Sequence, residues 1–222
     1  MSLSKPELVL VDLDGTMVDT AADLAYATDG MLSKLNLPQQ GEIKVRTWVG
    51  NGVKTLVARA LEGKMNPNPD PELLEQALDI FNILYASTNG VYSQSYAGVI
   101  EGLDWVKSQN INLACITNKA EEFTLPLLKE KGLDGYFSLV ISGDSLPKKK
   151  PDPMPLLHAA KHFNVDPHKS LMIGDSTNDV KAARAAGFEI LCVTYGYNHG
   201  QDIRLSNPDA ILDSLEQIGE LF

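Results

Sequence analysis

Cysteine is scarce in this sequence. The 222 residues contain two, Cys115 and Cys192, and each lies inside an apolar run that is typical of a strand. Two cysteines are too few to form a zinc ribbon, and their apolar surroundings favour buried, reduced thiols. A zinc ribbon is therefore excluded, and the chemistry of the protein must be sought among other residue types.

Long apolar segments are also lacking. No run approaches the roughly 20 apolar residues that cross a bilayer, and the segment 1–7 lacks the apolar stretch of a signal peptide. We therefore expect a cytoplasmic protein that does not associate with membranes.

Positive charge is in deficit. The chain has 19 lysines and arginines against 29 aspartates and glutamates, which gives a formal net charge of −10. A nucleic-acid partner is not expected, because a duplex binder needs a basic face. If such an acidic protein binds an anionic phosphate, a lysine or a metal ion must supply positive charge locally.

The order of apolar runs and helical patterns predicts the fold. A strand-like run at 7–11 stands alone before a block, 18–90, that contains helical patterns and almost no strand. From about residue 95 onward, strand-like runs alternate with helices and recur at 112–116, 139–141, 171–173, 190–193 and 210–212. This alternation predicts an α/β fold with a doubly wound parallel sheet. We predict a core of residues 1–17 and 93–222 with residues 18–92 inserted as a helical cap.

Capping signals divide the insert into helices. Thr20 and Asp23 are spaced as in a capping box and predict a helix beginning near Thr20. An apolar stripe from Val53 to Leu61 predicts a second helix. Asp70 followed by Pro71 predicts the start of a third, because proline is favoured at the first helical position.

Small polar and acidic residues follow the predicted strands of the core. Ligands bind outside the carboxyl ends of the strands in an open parallel sheet, so these residues should share one pocket. The residues at these strand ends are Asp12, Asp14, Thr117, Asn118, Ser142, Asp144, Lys150, Asp175 and Asp179.

Such a concentration of carboxylates predicts a metal-dependent phosphoryl-transfer site. Like charges a few ångströms apart repel, so a hard divalent cation, Mg²⁺, is expected among them. The spacing of Asp12 and Asp14 leaves one carboxylate to attack phosphorus and a second to shuttle protons. Thr117, Asn118 and backbone N–H groups near Thr16 would hold the phosphoryl oxygens. Lys150 would offset the charge that develops in the transition state.

Four ordered motifs resemble those of the haloacid dehalogenase superfamily. They are Asp12-Leu-Asp-Gly-Thr16, Thr117-Asn118, Lys150-Pro-Asp-Pro153 and Gly174-Asp-Ser-Thr-Asn-Asp179. The resemblance implies a Rossmann-like core in which Asp12 is the nucleophile and a metal ligand. It implies that Asp14 is the general acid/base and a metal ligand through its carbonyl, and that Asp175 completes the protein ligands. Asp179 would lie behind these ligands or bind a metal-bound water, and the helical insert would be a mobile cap.

A finer resemblance concerns the substrate. Residues 46–52, Arg-Thr-Trp-Val-Gly-Asn-Gly, are similar to a cap segment of bacterial phosphoglycolate phosphatases, and residues 194–198 also resemble that group. Ala97 departs from the pattern, which has proline there. The resemblance implies hydrolysis of 2-phosphoglycolate to glycolate and phosphate. Arg46 or backbone groups around Asn51, flanked by Gly50 and Gly52, are the candidates for binding the substrate carboxylate.

Several alternatives remain open at this point. The enzyme could act on another small phosphomonoester, or be a sugar phosphomutase on the same scaffold. A dehalogenase has no need of an acid at position 14 or of a metal. A non-enzymatic alternative is a receiver-like signalling module or a phosphate-binding relative, although a receiver would be shorter and would lack the insert. We expect a monomer or homodimer whose partner is a small phosphorylated metabolite.

Other residues of the motif segments have a structural explanation. Trp48 is as consistent with the cap interior as with a substrate contact. Lys148 and Lys149 are expected to be solvated, whereas the Pro-Asp-Pro that follows Lys150 favours a functional role for that lysine.

Overall fold

A computed structural model describes residues 4–222. Within this range, six parallel strands form one sheet in the spatial order β5-β4-β1-β6-β7-β8. The strands are β1 Leu8–Val11, β4 Asn112–Ile116, β5 Leu139–Ile141, β6 Ser170–Gly174, β7 Glu189–Val193 and β8 Ala210–Leu212. The first strand of the chain therefore lies at the centre of the sheet.

Alternate side chains of β1 pack on opposite faces of the sheet. Val9 and Val11 contribute to one buried cluster, and Leu8 and Leu10 contribute to another. The first cluster includes residues of the helices α5 Val99–Ser108 and α6 Glu121–Glu130. The second includes residues of α7 Met154–Phe163 and α8 Thr177–Ala186. Helices thus cover both faces, and the predicted doubly wound α/β fold is confirmed.

The helical block packs around an interior of its own. Its helices are α1 Ala21–Lys34, α2 Glu42–Arg46, α3 Val53–Glu62 and α4 Pro71–Thr88. The apolar faces of these helices form a third buried cluster. Trp48 belongs to this cluster and is only 2% exposed, so its indole fills the cap interior.

A short antiparallel ribbon joins the two parts of the chain. Its strands, β2 Val18–Asp19 and β3 Gln94–Ser95, pair where the chain enters and leaves the helical block. The division into a core of 1–17 and 93–222 and a cap of 18–92 stays a prediction, and residues 1–3 of it lie outside the described residues. No helix between residues 4 and 222 has both the length and the apolarity of a membrane span.

The predicted helix starts have different outcomes. The Asp70 carboxylate accepts hydrogen bonds from the N–H groups of Glu72 and Leu73, both at 3.0 Å, which confirms the cap of α4. The helix predicted to begin near Thr20 is present as α1, but the predicted capping box of Thr20 and Asp23 is not formed. Thr20 makes no side-chain cap to α1; the Tyr197 hydroxyl accepts the Thr20 N–H instead, at 2.7 Å.

Asp23 joins α1 to the segment that leaves the cap. Its fully buried carboxylate accepts hydrogen bonds from the N–H groups of Gly90, Tyr92 and Ser93 and from the Ser93 hydroxyl. A carboxylate can accept all of these bonds at once, because it has two acceptor oxygens and no proton to place.

Asp23→Asn should destabilise the protein. The NH₂ group of the new amide would face N–H and O–H groups that are themselves hydrogen-bond donors. The free energy of unfolding should therefore fall by roughly 2–4 kcal/mol. Urea denaturation followed by circular dichroism measures this change. The control is Asp79→Asn, at an exposed position of α4, and it should leave stability nearly unchanged. Equal stability of the two variants would contradict this account of Asp23.

Candidate active site

Neighbouring strand ends bring three carboxylates together. Asp12 follows β1, Asp175 follows the adjacent β6, and Asp179 lies in the first turn of α8. One carboxylate oxygen from each residue lies within 4.8 Å of the other two, and all three side chains are buried. The sheet topology therefore assembles the cluster from positions as far apart in sequence as 12 and 179.

One oxygen of Asp12 is held in place and the other is free. Oδ1 accepts a hydrogen bond from the Leu13 N–H at 2.7 Å and lies 2.9 Å from Nζ of Lys150. Oδ2 has no hydrogen-bond donor within the described part of the chain. Asp12 thus presents a fixed carboxylate with one oxygen available for attack.

Lys150 is the cation of this cluster. Its ammonium lies 2.9 Å from Asp12 and 2.7 Å from Oδ1 of Asp179, and it donates to the Ile116 carbonyl at 2.7 Å. Burial alone would lower the pKa of Lys150, but Asp12 and Asp179 outweigh it and raise that pKa above its usual value. Lys150 therefore remains a cation. The other Asp179 oxygen accepts from the Ser176 N–H and hydroxyl in a capping box at the start of α8.

Asp175 is oriented by donors on both sides. Oδ1 accepts from the Thr16 hydroxyl at 3.1 Å, and Oδ2 accepts from the Tyr197 N–H at 2.7 Å. Thr16, predicted to bind substrate, thus positions Asp175 in this structure. Gly15 has φ +85°, and a Cβ there would lie 2.5 Å from Oδ2 of Asp175, so only glycine permits this approach.

The electrostatics of the cluster fit a divalent cation. Burial raises the pKa of Asp12 well above its usual range, and the nearby carboxylates add to the rise against the opposing effect of Lys150. Burial and Asp179 raise the pKa of Asp175 to about 7. Burial is the larger cause of both shifts, and the cluster itself holds three carboxylates against the single ammonium of Lys150. Carboxylate oxygens are the ligands that hard cations prefer, so the residues present can hold such an ion.

Asp14 lies beside this cluster but has other partners. Its Oδ1 accepts from the Thr20 hydroxyl at 2.7 Å and lies 3.0 Å from Nζ of Lys119. Sequence reasoning missed Lys119, which is buried and also donates to the Tyr85 hydroxyl from α4. Its position in the sequence could have indicated it, because Lys119 directly follows Thr117 and Asn118 at the end of a strand, where side chains face the same pocket.

The residues after β4 divide their roles. Thr117 is buried, and its Oγ1 accepts the Lys119 N–H at 3.1 Å, which leaves the hydroxyl proton free to donate. The Asn118 amide donates to the carbonyls of Gly50 and Lys150 at 2.8 and 2.9 Å. The Asn118 amide group therefore links the helical block to the core. It was expected from the sequence to bind the phosphoryl oxygens instead.

The cap segment contributes backbone rather than charge. Gly50 and Gly52 have φ +114° and +85°, and the Gly50 carbonyl also accepts from the Asn178 amide of α8 at 3.2 Å. Asn51 lies between these glycines, and its backbone carbonyl accepts a hydrogen bond from the Thr55 hydroxyl at 3.3 Å.

The structure does not bring Arg46 to the carboxylate cluster. Its guanidinium pairs with Asp19 at 3.0 Å and Glu42 at 2.9 Å, and it lies over the ring of Tyr197. The pocket that it lines is bordered by Asp19 and Tyr96 and does not include Asp12 or Asp14.

Two small cavities meet at Asp14. The first, about 20 Å³, is lined mainly by polar residues, Asp12, Thr117 and Asp175 among them. The second, about 30 Å³, is largely apolar and lies against the cap. Both include the following residues in their walls: Asp14, Val49, Gly50 and Asn118. Asp14 is thus the one carboxylate, among the described residues, that lines both cavities.

The chain belongs to the haloacid dehalogenase-like hydrolases, whose family model matches residues 9–193. It is therefore a hydrolase, and the strand-end carboxylates described above are its candidate active site.

Relatives of known name share most of the chain. A phosphoglycolate phosphatase of Nitrosococcus oceani is 56% identical over 219 residues, which are 99% of this chain and 97% of that protein. Phosphoglycolate phosphatase 1 of Pseudomonas aeruginosa is 44% identical over 96% of this chain and 78% of its own length. A crystal structure from Haemophilus somnus, described as a predicted phosphoglycolate phosphatase, has a TM-score of 0.92, 35% identity and 99% coverage of each chain.

Lys150→Met should destabilise the protein, because it leaves Asp12 and Asp179 buried without their cation. We expect the free energy of unfolding, measured by urea titration in chelator, to fall by roughly 3–5 kcal/mol. Lys148→Met is the matched control, since Lys148 belongs to the same lysine run but forms an exposed pair with Asp152. Its loss should not exceed about 1 kcal/mol. Similar losses for both variants would show that Lys150 is not the compensating charge.

Proposed function

We propose that this protein is a Mg²⁺-dependent phosphatase that hydrolyses 2-phosphoglycolate through a phospho-aspartate on Asp12. The observation that carries the proposal is the position of Asp14. It lines both the acidic cavity and the apolar one, and Asp12 lines the acidic cavity with it. A phosphate ester that spans both cavities has its bridging oxygen at this junction.

In the first step, Oδ2 of Asp12 attacks phosphorus and forms an acyl phosphate. The bond from phosphorus to the ester oxygen breaks, and Asp14 transfers its proton to that oxygen so that glycolate leaves as an alcohol. The Thr117 hydroxyl and the Lys150 ammonium stabilise the negative charge on the phosphoryl oxygens.

In the second step, Asp14 removes a proton from water, and the water oxygen attacks the same phosphorus. The bond to Asp12 breaks, which releases inorganic phosphate and restores the free carboxylate. Asp14 is suited to both transfers because Thr20 and Lys119 fix one of its oxygens and leave the other with no hydrogen-bond donor among residues 4–222.

Mg²⁺ would be held by Asp12, Asp175 and the Asp14 carbonyl, with Asp179 behind them. When bound, it supplies positive charge that offsets the carboxylates and the phosphoryl group. The burial of Asp12 and Asp175 and the raised pKa of each support this assignment.

The size of the apolar cavity and the names of the relatives support the substrate. The apolar cavity is small, about 30 Å³, which favours a short leaving group such as the two-carbon glycolate unit over a sugar. The relatives at 56% and 44% identity are named phosphoglycolate phosphatases. The position of Asp14 in the walls of both cavities also disfavours a receiver-like signalling module, because such a module needs no acid/base at this place.

Residues 18–92 are proposed to move as the cap over this site. The contacts that hold them against the core include the Gly50 carbonyl with Asn118 and Asn178, and the Thr47 carbonyl at 2.9 Å from Nδ1 of His199. Closing of this segment would exclude water from the phosphoryl group, and opening would release products.

Asp12→Asn should abolish turnover and leave the fold intact. The amide retains the volume of the side chain but cannot form the acyl phosphate. Phosphate release measures activity, and thermal melting tests the fold. Turnover close to that of the wild type would exclude the phospho-aspartate mechanism.

Asp14→Asn should slow both steps, because the amide can neither donate the proton to the leaving oxygen nor accept one from water. The loss of kcat should exceed the roughly 10²–10⁴-fold of a single acid/base role. Rapid-quench measurement should detect slowing of both phospho-enzyme formation and breakdown. An effect on only one of the two steps would contradict the dual role.

Phosphate release from a panel of substrates tests the specificity. The panel includes 2-phosphoglycolate, sugar phosphates and nucleoside monophosphates, each with Mg²⁺ and with excess chelator. We expect 2-phosphoglycolate to lead in kcat/KM by orders of magnitude and all activity to stop in chelator. A leading sugar phosphate would overturn the substrate, and activity in chelator would overturn the metal requirement.

A further inference from the structure

Among residues 4–222, Lys119 is the one cation in the wall of the apolar cavity, where it lies beside the Asp14 carboxylate. The apolar surface of the cavity comes from the cap, through Leu24, Val49, Val53 and Leu56. The Lys119 side chain, which follows β4 of the core, also lines the cavity and is only 3% exposed. An apolar pocket with a single buried ammonium group is complementary to a short aliphatic chain that ends in an anion.

The Lys119 ammonium has capacity for a further acceptor. It has three N–H donors, and its contacts within residues 4–222 are two: Oδ1 of Asp14 at 3.0 Å and the Tyr85 hydroxyl. Burial raises the pKa of Tyr85 to about 12, so this partner is neutral, and of the two partners only the Asp14 carboxylate opposes the lysine charge. One donor thus remains for a bound anion.

We propose that Lys119 binds the carboxylate of the substrate and determines the preference for a phosphorylated two-carbon acid. This inference rests on the proposed function, since it places the phosphoryl group in the acidic cavity and the glycolate unit in the apolar one. The methylene group contacts the apolar cap side chains, and the carboxylate accepts the free N–H of Lys119. In an enclosed site, such a charge-assisted hydrogen bond is strong.

Arg46 does not serve this role in the structure. Its guanidinium is engaged by Asp19 and Glu42, and it lines a different pocket. Lys119 and Asp14 both line the apolar cavity. In the proposed arrangement, the Lys119 ammonium therefore contacts both the acid/base, Asp14, and the carboxylate of the leaving group.

The assignment also explains how the cap takes part in recognition. Tyr85 belongs to α4 of the cap, whereas Lys119 belongs to the core. The Tyr85 ring packs against Phe123 of the core, with ring centroids 4.8 Å apart. The carboxylate site is therefore complete only when the cap lies against the core, and the lysine is shielded from water in that state.

The test compares two substrates of the same shape and different charge. They are 2-phosphoglycolate and 2-phosphoglycolamide, whose neutral amide replaces the carboxylate. Lys119→Met and Lys119→Gln are both made, so that the test survives if one variant folds poorly. In each, the ratio of kcat/KM for the acid to that for the amide should fall roughly 10- to 100-fold relative to the wild type, the range expected for a hydrogen bond to a charged group.

This ratio separates binding of the carboxylate from support of Asp14. If Lys119 only positions the acid/base, both substrates lose activity equally and the ratio is unchanged, which would overturn the assignment. Binding gives a second readout: in the Asp12→Asn background, Lys119→Met should raise the Kd for 2-phosphoglycolate roughly 10- to 100-fold by calorimetry and change the Kd for the amide little. An equal change in both Kd values would also overturn it.

Lys149→Met is the matched control. Lys149 is a half-buried lysine near the cap, and a Cβ at Gly52 would lie 2.6 Å from its Nζ, but it is not part of the cavity wall. Its removal takes away the same charge and should leave the ratio unchanged; an equal fall would indicate general attraction of anions and would overturn direct contact. A wild-type ratio near one would instead refute the proposed substrate, independently of the variants.

Discussion

Four carboxylates lie at the carboxyl edge of the central strands, and two buried ammonium groups make this arrangement possible. Lys150 lies between Asp12 and Asp179, and Lys119 pairs with Asp14. Without them, the carboxylates would lie close together away from water with no cation of the protein beside them, and their mutual repulsion would be costly. Each lysine loses its hydration when it is buried, and the neighbouring carboxylates compensate for that loss. The buried lysines and the buried aspartates therefore stabilise one another.

The backbone around the cluster is adapted to this close packing. Glycine stands at positions 15, 174 and 196, where a Cβ would lie within 2.6 Å of a carboxylate atom of Asp175 or Asp179. A larger residue at any of these positions would push apart the carboxylates and the cations that neutralise them. The glycines of the motifs thus follow from the electrostatics of the site, because short distances between opposite charges require small neighbours.

The cap completes the site from the other side. The apolar cavity has walls from the cap and a charged wall from the core, and the two meet through the Gly50 carbonyl and the Tyr85 hydroxyl. This construction divides the tasks of the enzyme. In the proposed mechanism, the core supplies the groups that react with phosphorus, and the cap supplies the volume that the leaving group occupies.

The sequence by itself determined the sheet, the helical insert, the cap of α4 by Asp70 and the acidic residues at the strand ends. These features depend on local apolar periodicity and on short motifs, which are read from neighbouring residues. Only the tertiary structure showed that Asp23 joins α1 to residues 90–93, that Tyr197 accepts the N–H groups at the start of α1, and that Lys119 pairs with Asp14. It also directed Arg46 toward Asp19. These contacts join residues up to 177 positions apart, and their partners are selected by burial and charge rather than by spacing along the chain.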